Sequence, residues 1–243
     1  MNTLLITTIL VIVAHGDDVA TSANYLGTVC ADPSTTCVAA VATDGSAAGD
    51  PGAFRSIDAR YLPLHLSDLP GDTPQSQVIA QWDIDVGQYG YTSFQDGMVD
   101  LISRIDPDKV IVLDPRHGTG GHTSHLTLGW HSIAAAGRAG YADTVWVQSA
   151  IRHIADSHFD GTGFPIDRGE DWSGFTVCTT DEKAHTVMDG WMGAYAFMKH
   201  YPALFDAEKM LKAPAEWRQS VLLEWAEQNP ADPAYEACMG VWR

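Results

Sequence analysis

Four short apolar runs punctuate the chain: LLITTILVIVA (4–14), CVAAVATDG (37–45), KVIVLD (109–114) and TVWVQSA (144–150). Each is rich in β-branched residues and lacks the strict polar–apolar alternation of a half-exposed strand. That pattern predicts strands covered on both faces, as in a parallel sheet. Between them lie stretches of helical character, VATSANYLGTVCA (19–31), FQDGMVDLISRI (94–105) and HLTLGWHSIAAAGRAG (125–140). In the second of these Phe94, Met98, Leu101, Ile102 and Ile105 fall on one face. The segment from Ser46 to Pro74 is rich in Gly, Pro and Asp and reads as irregular, with a short helix expected around SIDARYL (56–62). Regular alternation of strand and helix predicts an α/β fold built on a mostly parallel sheet flanked by helices. The expectation is a single domain over residues 1–243, its core ending near residue 150. A helical C-terminal appendage follows, including EKAHTVMDGWMGAYAFMKHYPALF (182–205).

The first apolar run has a second reading, as an export signal cut near Ala14. It lacks the Lys/Arg-rich start of such signals, and its Thr, Ile and Val favour a strand. A strand is therefore expected to remain in the mature protein, with cytoplasmic localisation; secretion is the alternative if residues 1–14 belong to an export signal.

Composition narrows the partners. Over 243 residues the formal net charge is −17, which argues against nucleic acid and anionic membrane surfaces as main partners. No apolar run reaches the length of a spanning helix. The four cysteines show no CxxC spacing, so a thiolate zinc site is not expected. Buried free thiols are the plain reading, with a small Cys30–Cys37 loop possible in an oxidising compartment.

The chemistry concentrates at two places. HGDD (15–18) follows the first run and HTSH (122–125) follows the third, and both sit where strands end at their carboxyl edges. Ligands in parallel sheets bind beyond those edges, so both clusters are expected in one crevice. His15 with Asp18, and His122 with His125, are each three residues apart. Two imidazoles and a carboxylate suit Zn²⁺ or another divalent transition metal. Asp17 is placed to accept a proton from water, and the remaining histidine to donate to an oxyanion.

ILVIVAHGDD, AVATDGSAAGD and PDKVIVLDPRHGTGGHTSHLTLG, taken in order over roughly residues 8–130, resemble the PIG-L/LmbE family of metal-dependent N-acetylglucosaminyl deacetylases. The resemblance implies a Rossmann-like sheet, with Zn²⁺ held by His15, Asp18 and His125. It implies Asp17 as general base, His122 as the group that stabilises the tetrahedral intermediate, and Arg55 as a substrate contact, with Asp58 in place of the usual glutamate. The implied reaction is removal of an acetyl or other acyl group from the amide nitrogen of a small amino-sugar substrate or its conjugate. An amidase acting on a thiol conjugate or natural product, and a catalytically silent metal-retaining sugar binder, are the alternatives. Gly16 stands where the family has Pro, Val19 where it has Glu, and HTSH where it has HPDH; its late His-Ser-Gln element is not found.

Two lesser signals remain. DSHFDGTGFPID (156–167) partly matches a calcium loop, though an ordinary Asp/Gly loop is the favoured reading. Trp82, Tyr89, Tyr91 and Phe94 could rim the site or simply pack.

Overall fold

Ile9 to Ala14 are at most 2% exposed, which accounts for the unbroken apolar run: both faces of this strand are covered. The computed structural model describes residues 6–43, 45, 49–113, 122–148, 184–187, 196–204 and 220–224. Among them, β1 (Thr7–Val13) is the middle of a sheet. β2 (Thr35–Thr43) and then β3 (Ala59–Leu66) lie on one side of it, β4 (Lys109–Leu113) and then β5 (Val145–Gln148) on the other, all parallel. Beyond β5 the sheet continues with two antiparallel strands, β7 (Ser220–Glu224) and then β6 (Ala184–Val187).

The described helices are α1 (Ala23–Val29), α2 (Pro51–Arg55), α3 (Gln75–Gly87), α4 (Phe94–Ile105) and α5 (Thr123–Ala139). The chain runs from β1 outward to β3, then crosses back to β4. Strand order therefore reverses between β1 and β4, and the crevice lies there.

Two expectations need correction, and one element was not anticipated. SIDARYL is not helical: the helix is α2, which ends just before it and is capped by the Asp50 side chain, accepting from Gly52 N–H at 2.6 Å; Ser56–Asp58 form a turn and Ala59 onward is strand. Pro63 hides that strand in the sequence. It is tolerated because β3 is the sheet's edge, where one side of the strand needs no ladder partner. α3 went unread, yet Val78, Trp82, Asp85 and Val86 are buried at helical spacing. The helical reading of the C-terminal part holds at 196–198, but Ala184–Val187 is a strand, and Ser220–Glu224 joins the same sheet. Runs of four or five residues are too short for periodicity to tell strand from helix.

Cys30, just past α1, is bonded to Cys37 in β2, and both are buried. The small-loop alternative is thus the one adopted; Cys178 and Cys238 lie outside the described residues.

The C-terminal segment 196–204 packs beside the start of α2. Phe197 meets Phe54 edge-on, ring centroids 5.6 Å apart, and the Tyr201 hydroxyl accepts from Asp50 N–H at 3.1 Å. Gly16, in the turn after β1, lies beneath this contact. A Cβ there would sit 2.5 Å from Gly49 Cα and 2.7 Å from the Tyr201 oxygen. The family's proline would therefore collide with backbone that cannot yield.

Two outcomes are expected. Replacing Cys30 and Cys37 together by alanine should cost about 2.5 kcal/mol in urea unfolding, the loop-closure value for so short a ring, and intact mass should show the bridge in wild type. Gly16→Ala should lose roughly 1–3 kcal/mol through overpacking, and an unchanged midpoint would contradict this packing.

Candidate metal centre

β1 delivers its C-terminal polar residues through a tight turn. Ala14 O accepts from Thr43 N–H at 2.9 Å and Thr43 Oγ1 at 3.0 Å, tying the ends of β1 and β2 together. His15 is extended, and Gly16–Thr21 forms one 3-10 segment. Asp18 folds back so that its Oδ2 accepts from His15 N–H at 2.8 Å. This turn fixes His15 and Asp18 relative to each other through local contacts.

From the other side of the crevice comes the start of α5. His122 is its N-cap residue, and His125 lies buried in its first turn. His15 and His125, 110 residues apart, approach to 2.9 Å between Nδ1 and Nε2. Asp18 lies against both, Oδ2 at 3.6 Å from His15 Nδ1 and Oδ1 at 3.3 Å from His125 Nε2. Ligands about 2.1 Å from a shared tetrahedral centre stand about 3.4 Å apart, and these separations bracket that value. The donor set therefore fits a divalent cation by type and by spacing. His15 also groups with His122 and His125, and separately with Asp17 and Asp18, within 4.8 Å.

The other two residues expected in the crevice lie beside this triangle. His122 packs edge-on to His15 at 5.0 Å and stacks on His125 at 4.9 Å. Burial, followed by the neighbouring His125 and His15, lowers its pKa to about 4, so the ring is neutral at pH 7. Its Nδ1 accepts from Ser124 N–H at 3.3 Å, leaving the proton on Nε2 as a donor. Asp17 has a buried Oδ1 with no hydrogen-bond partner among the described residues. Burial first, then the adjacent Asp18 charge, raises its pKa to about 6, although His15 opposes the shift. Burial would lower the pKa of His15, but Asp18 and Asp68 outweigh it and raise the value to about 9. Asp18 is held low despite its burial, chiefly by His125 and His15.

Arg55 is not part of this cluster. It is exposed at the last turn of α2, and no hydrogen bond or ion pair joins it to the histidines among the described residues. Asp58 follows it in a left-handed backbone conformation, φ 52°. Trp82 and Phe94 are core rather than rim, their rings 4.9 Å apart. Tyr89 and Tyr91 line a separate cavity of about 180 Å³ with Leu64, Leu66 and Met98. His117, the glycine-rich loop before His122 and the 156–167 loop lie outside the described residues.

One contact escaped the sequence reading. Asp68, two residues past β3, places Oδ1 3.1 Å from His15 Nε2. A carboxylate after an unrecognised strand carries no local signal. Only the placement of β3 would have revealed it.

No protein-family model matches the chain, and no curated protein matches it. Several solved structures share its fold. A deacetylase triple mutant of the teicoplanin biosynthetic pathway is 13% identical, with TM-score 0.56, over 93% of this chain and 100% of that one. The A40926 pseudoaglycone deacetylase Dbv21 is 12% identical, with TM-score 0.54, over 91% and 99%. The 4-carboxy-2-hydroxymuconate hydratase GalB of Pseudomonas putida KT2440 is 11% identical, with TM-score 0.52, over 93% and 99%. At these identities the likeness is one of fold: a Rossmann-like α/β sheet that carries deacetylases and a hydratase alike.

Proposed function

We propose that this protein is a metal-dependent hydrolase that removes an acyl group, acetyl in the simplest case, from the amide nitrogen of an amino sugar or its conjugate. The observation that carries the reading is the His15–Asp18–His125 triangle with an unpartnered Asp17 oxygen and a neutral His122 beside it. His15, Asp18 and His125 would hold the ion, with Zn²⁺ the first candidate. When bound, such an ion polarises a carbonyl and makes water easier to deprotonate.

The chain's own groups supply the rest. Asp17 accepts the proton of the attacking water, its buried Oδ1 having no hydrogen-bond partner among the described residues and its raised pKa matching proton transfer near neutrality. His122 Nε2–H donates to the carbonyl oxygen as negative charge develops there. As the C–N bond breaks, protonated Asp17 returns its proton to the amine. Water has then been split between a carboxylic acid and a free amine. Arg55, exposed at the end of α2, is assigned to the substrate's periphery rather than to the reacting atoms. Two of the fold relatives are named as deacetylases, which supports an acylated amine as the first class to test.

No described helix is long and apolar enough to cross a membrane. The Cys30–Cys37 bridge favours oxidising surroundings over the cytoplasm expected from the sequence, because cytosolic thiols are kept reduced.

Screening N-acetylated amino sugars and their conjugates for amine release, with Zn²⁺ and with a chelator, tests the activity. Release that stops on chelation and returns with metal is expected; a metal-loaded protein that releases no amine from any of them overturns the reading. Asp17→Asn should keep its metal while turnover falls ~10²- to 10⁴-fold. The same variant has a second readout. In the metal-free protein Asp17 is ionised at a cost, since its pKa is raised from 3.8 to about 6. A raised carboxyl pKa favours folding only while the group is protonated, so the penalty is full above pH 6 and absent below about pH 4. Chelated Asp17→Asn should therefore unfold later than wild type at pH 8, by an amount on the order of 2 kcal/mol, and lose that advantage as pH falls from 6 to 4.

A further inference from the structure

Asp68 lies in the loop that leaves the edge strand β3, remote in sequence from both polar clusters. Its Oδ1 accepts from His15 Nε2 at 3.1 Å, on the side of the ring opposite Nδ1, which faces His125 and Asp18. One imidazole nitrogen thus meets a carboxylate while the other points into the ligand triangle. We infer that Asp68 is a positioning residue: by holding the Nε2 proton of His15 it fixes the ring's orientation and leaves Nδ1 as the metal-binding atom. This role presupposes the metal site proposed above. Carboxylates that take the second N–H of a metal-binding histidine are worth 10- to 100-fold in metal affinity.

The surroundings are built around this contact. Gly45, the glycine of TDG after β2, has no room for a side chain: a Cβ there would lie 1.8 Å from Asp68 Oδ2. The carboxylate occupies the space that any other residue at position 45 would fill. The loop itself is held at both ends. Asp85, a buried carboxylate of α3, accepts from Ser67 N–H at 2.7 Å, Ser67 Oγ at 3.1 Å and Gln81 Nε2 at 2.9 Å. Trp82 Nε1 donates to Ser67 O at 3.0 Å. At the loop's far end Gly71 O accepts from Thr123 N–H at 3.0 Å and Thr123 Oγ1 at 2.8 Å, next to His122. A Cβ on Gly71 would come within 2.8 Å of the His122 ring. The loop is therefore clamped to α3 at one end and to the head of α5 at the other, with Asp68 between.

The test compares four full-length proteins: wild type, Asp68→Ala, Asp68→Asn and Gly45→Ala. Zn²⁺ affinity is measured by competition with a chromophoric chelator, and the His15 ring by ¹⁵N NMR of the metal-free form. Asp68→Ala should weaken Zn²⁺ binding by roughly 10- to 100-fold. Asp68→Asn, which keeps an acceptor oxygen, should fall between it and wild type. Gly45→Ala retains the carboxylate and its charge but displaces it, so it should weaken binding as Asp68→Ala does. Wild type should show a slowly exchanging His15 Nε2–H that is lost in Asp68→Ala and Gly45→Ala while the amide spectrum stays folded. Equal Zn²⁺ affinity in wild type and Asp68→Ala overturns the role. So does Gly45→Ala binding like wild type, which would make Asp68 a source of charge only. So would Asp68→Asn as weak as Asp68→Ala with one fewer zinc ligand by X-ray absorption, which would make Asp68 a ligand itself. If wild type binds no Zn²⁺, the metal reading fails, while the Nε2–H signal still decides whether Asp68 holds the ring.

Discussion

A carboxylate that is 5% exposed, with both oxygens spoken for, constrains everything around the crevice. Asp18 can stay ionised there only because His15 N–H and two imidazoles face it; left unpaired, a buried charge of this kind costs several kcal/mol. Those partners come from two distant parts of the chain. His15 arrives on the central strand and His125 on the helix after β4, so the sheet must place β1 beside β4 before the charge can be buried. The reversal of strand order between these strands is what leaves a crevice open above them. Fold and site are in this sense one requirement. The parallel pairing that buries Ile9–Val13 also aligns the two polar ends.

That coupling explains which parts were legible. The central strands are apolar on both faces and end in clustered histidines and aspartates, so composition marks both the strand and its chemistry. His15, Asp17, Asp18, His122 and His125 could be read from the sequence for this reason, and the structure brings all five together. The edge of the sheet has no such mark. β3 carries a proline and a mixed pattern, α3 follows it with weak periodicity, and Asp68 belongs to the loop between them. Its importance arises from where the loop is clamped, a long-range property set by Asp85, Trp82 and Thr123. Arg55 shows the converse case. The resemblance implies that it is a substrate contact, and the helix that carries it leaves it exposed, with no hydrogen bond or ion pair to the histidines among the described residues.

The departures from the family pattern are physically coherent. Where the family has proline after the first histidine, this chain has Gly16, and that substitution goes with Gly49 and Tyr201. A hydroxyl delivered by the C-terminal segment and the backbone of Gly49 both approach to distances that exclude a Cβ. The loss of the acidic neighbour in HTSH has a similar logic. His122 there is neutral and takes a backbone N–H on Nδ1, so it needs no carboxylate to fix its tautomer. The nearby carboxylate serves His15 instead, entering from β3 through the space left by Gly45.

Deacetylases and a hydratase share this sheet at identities near 12%, so the fold sets where chemistry happens but not which bond is broken. What separates the possibilities is the donor set and how it is held. Three potential ligands stand at separations suited to a tetrahedral ion, a carboxylate beside them lacks a partner for one oxygen among the described residues, and a neutral imidazole presents an N–H. Two of these are costly without a ligand: a buried oxygen without a partner among the described residues loses its hydration, and burial with the neighbouring His125 and His15 depresses the basicity of His122. Such costs persist in a fold when the surrounding structure over-determines the geometry, as the reciprocal His15–Asp18 turn and the clamped Asp68 loop do here. On the reading proposed above, the crevice would be organised in advance for a cation and for the proton transfers beside it, and water addition to an amide carbonyl would use every one of these groups.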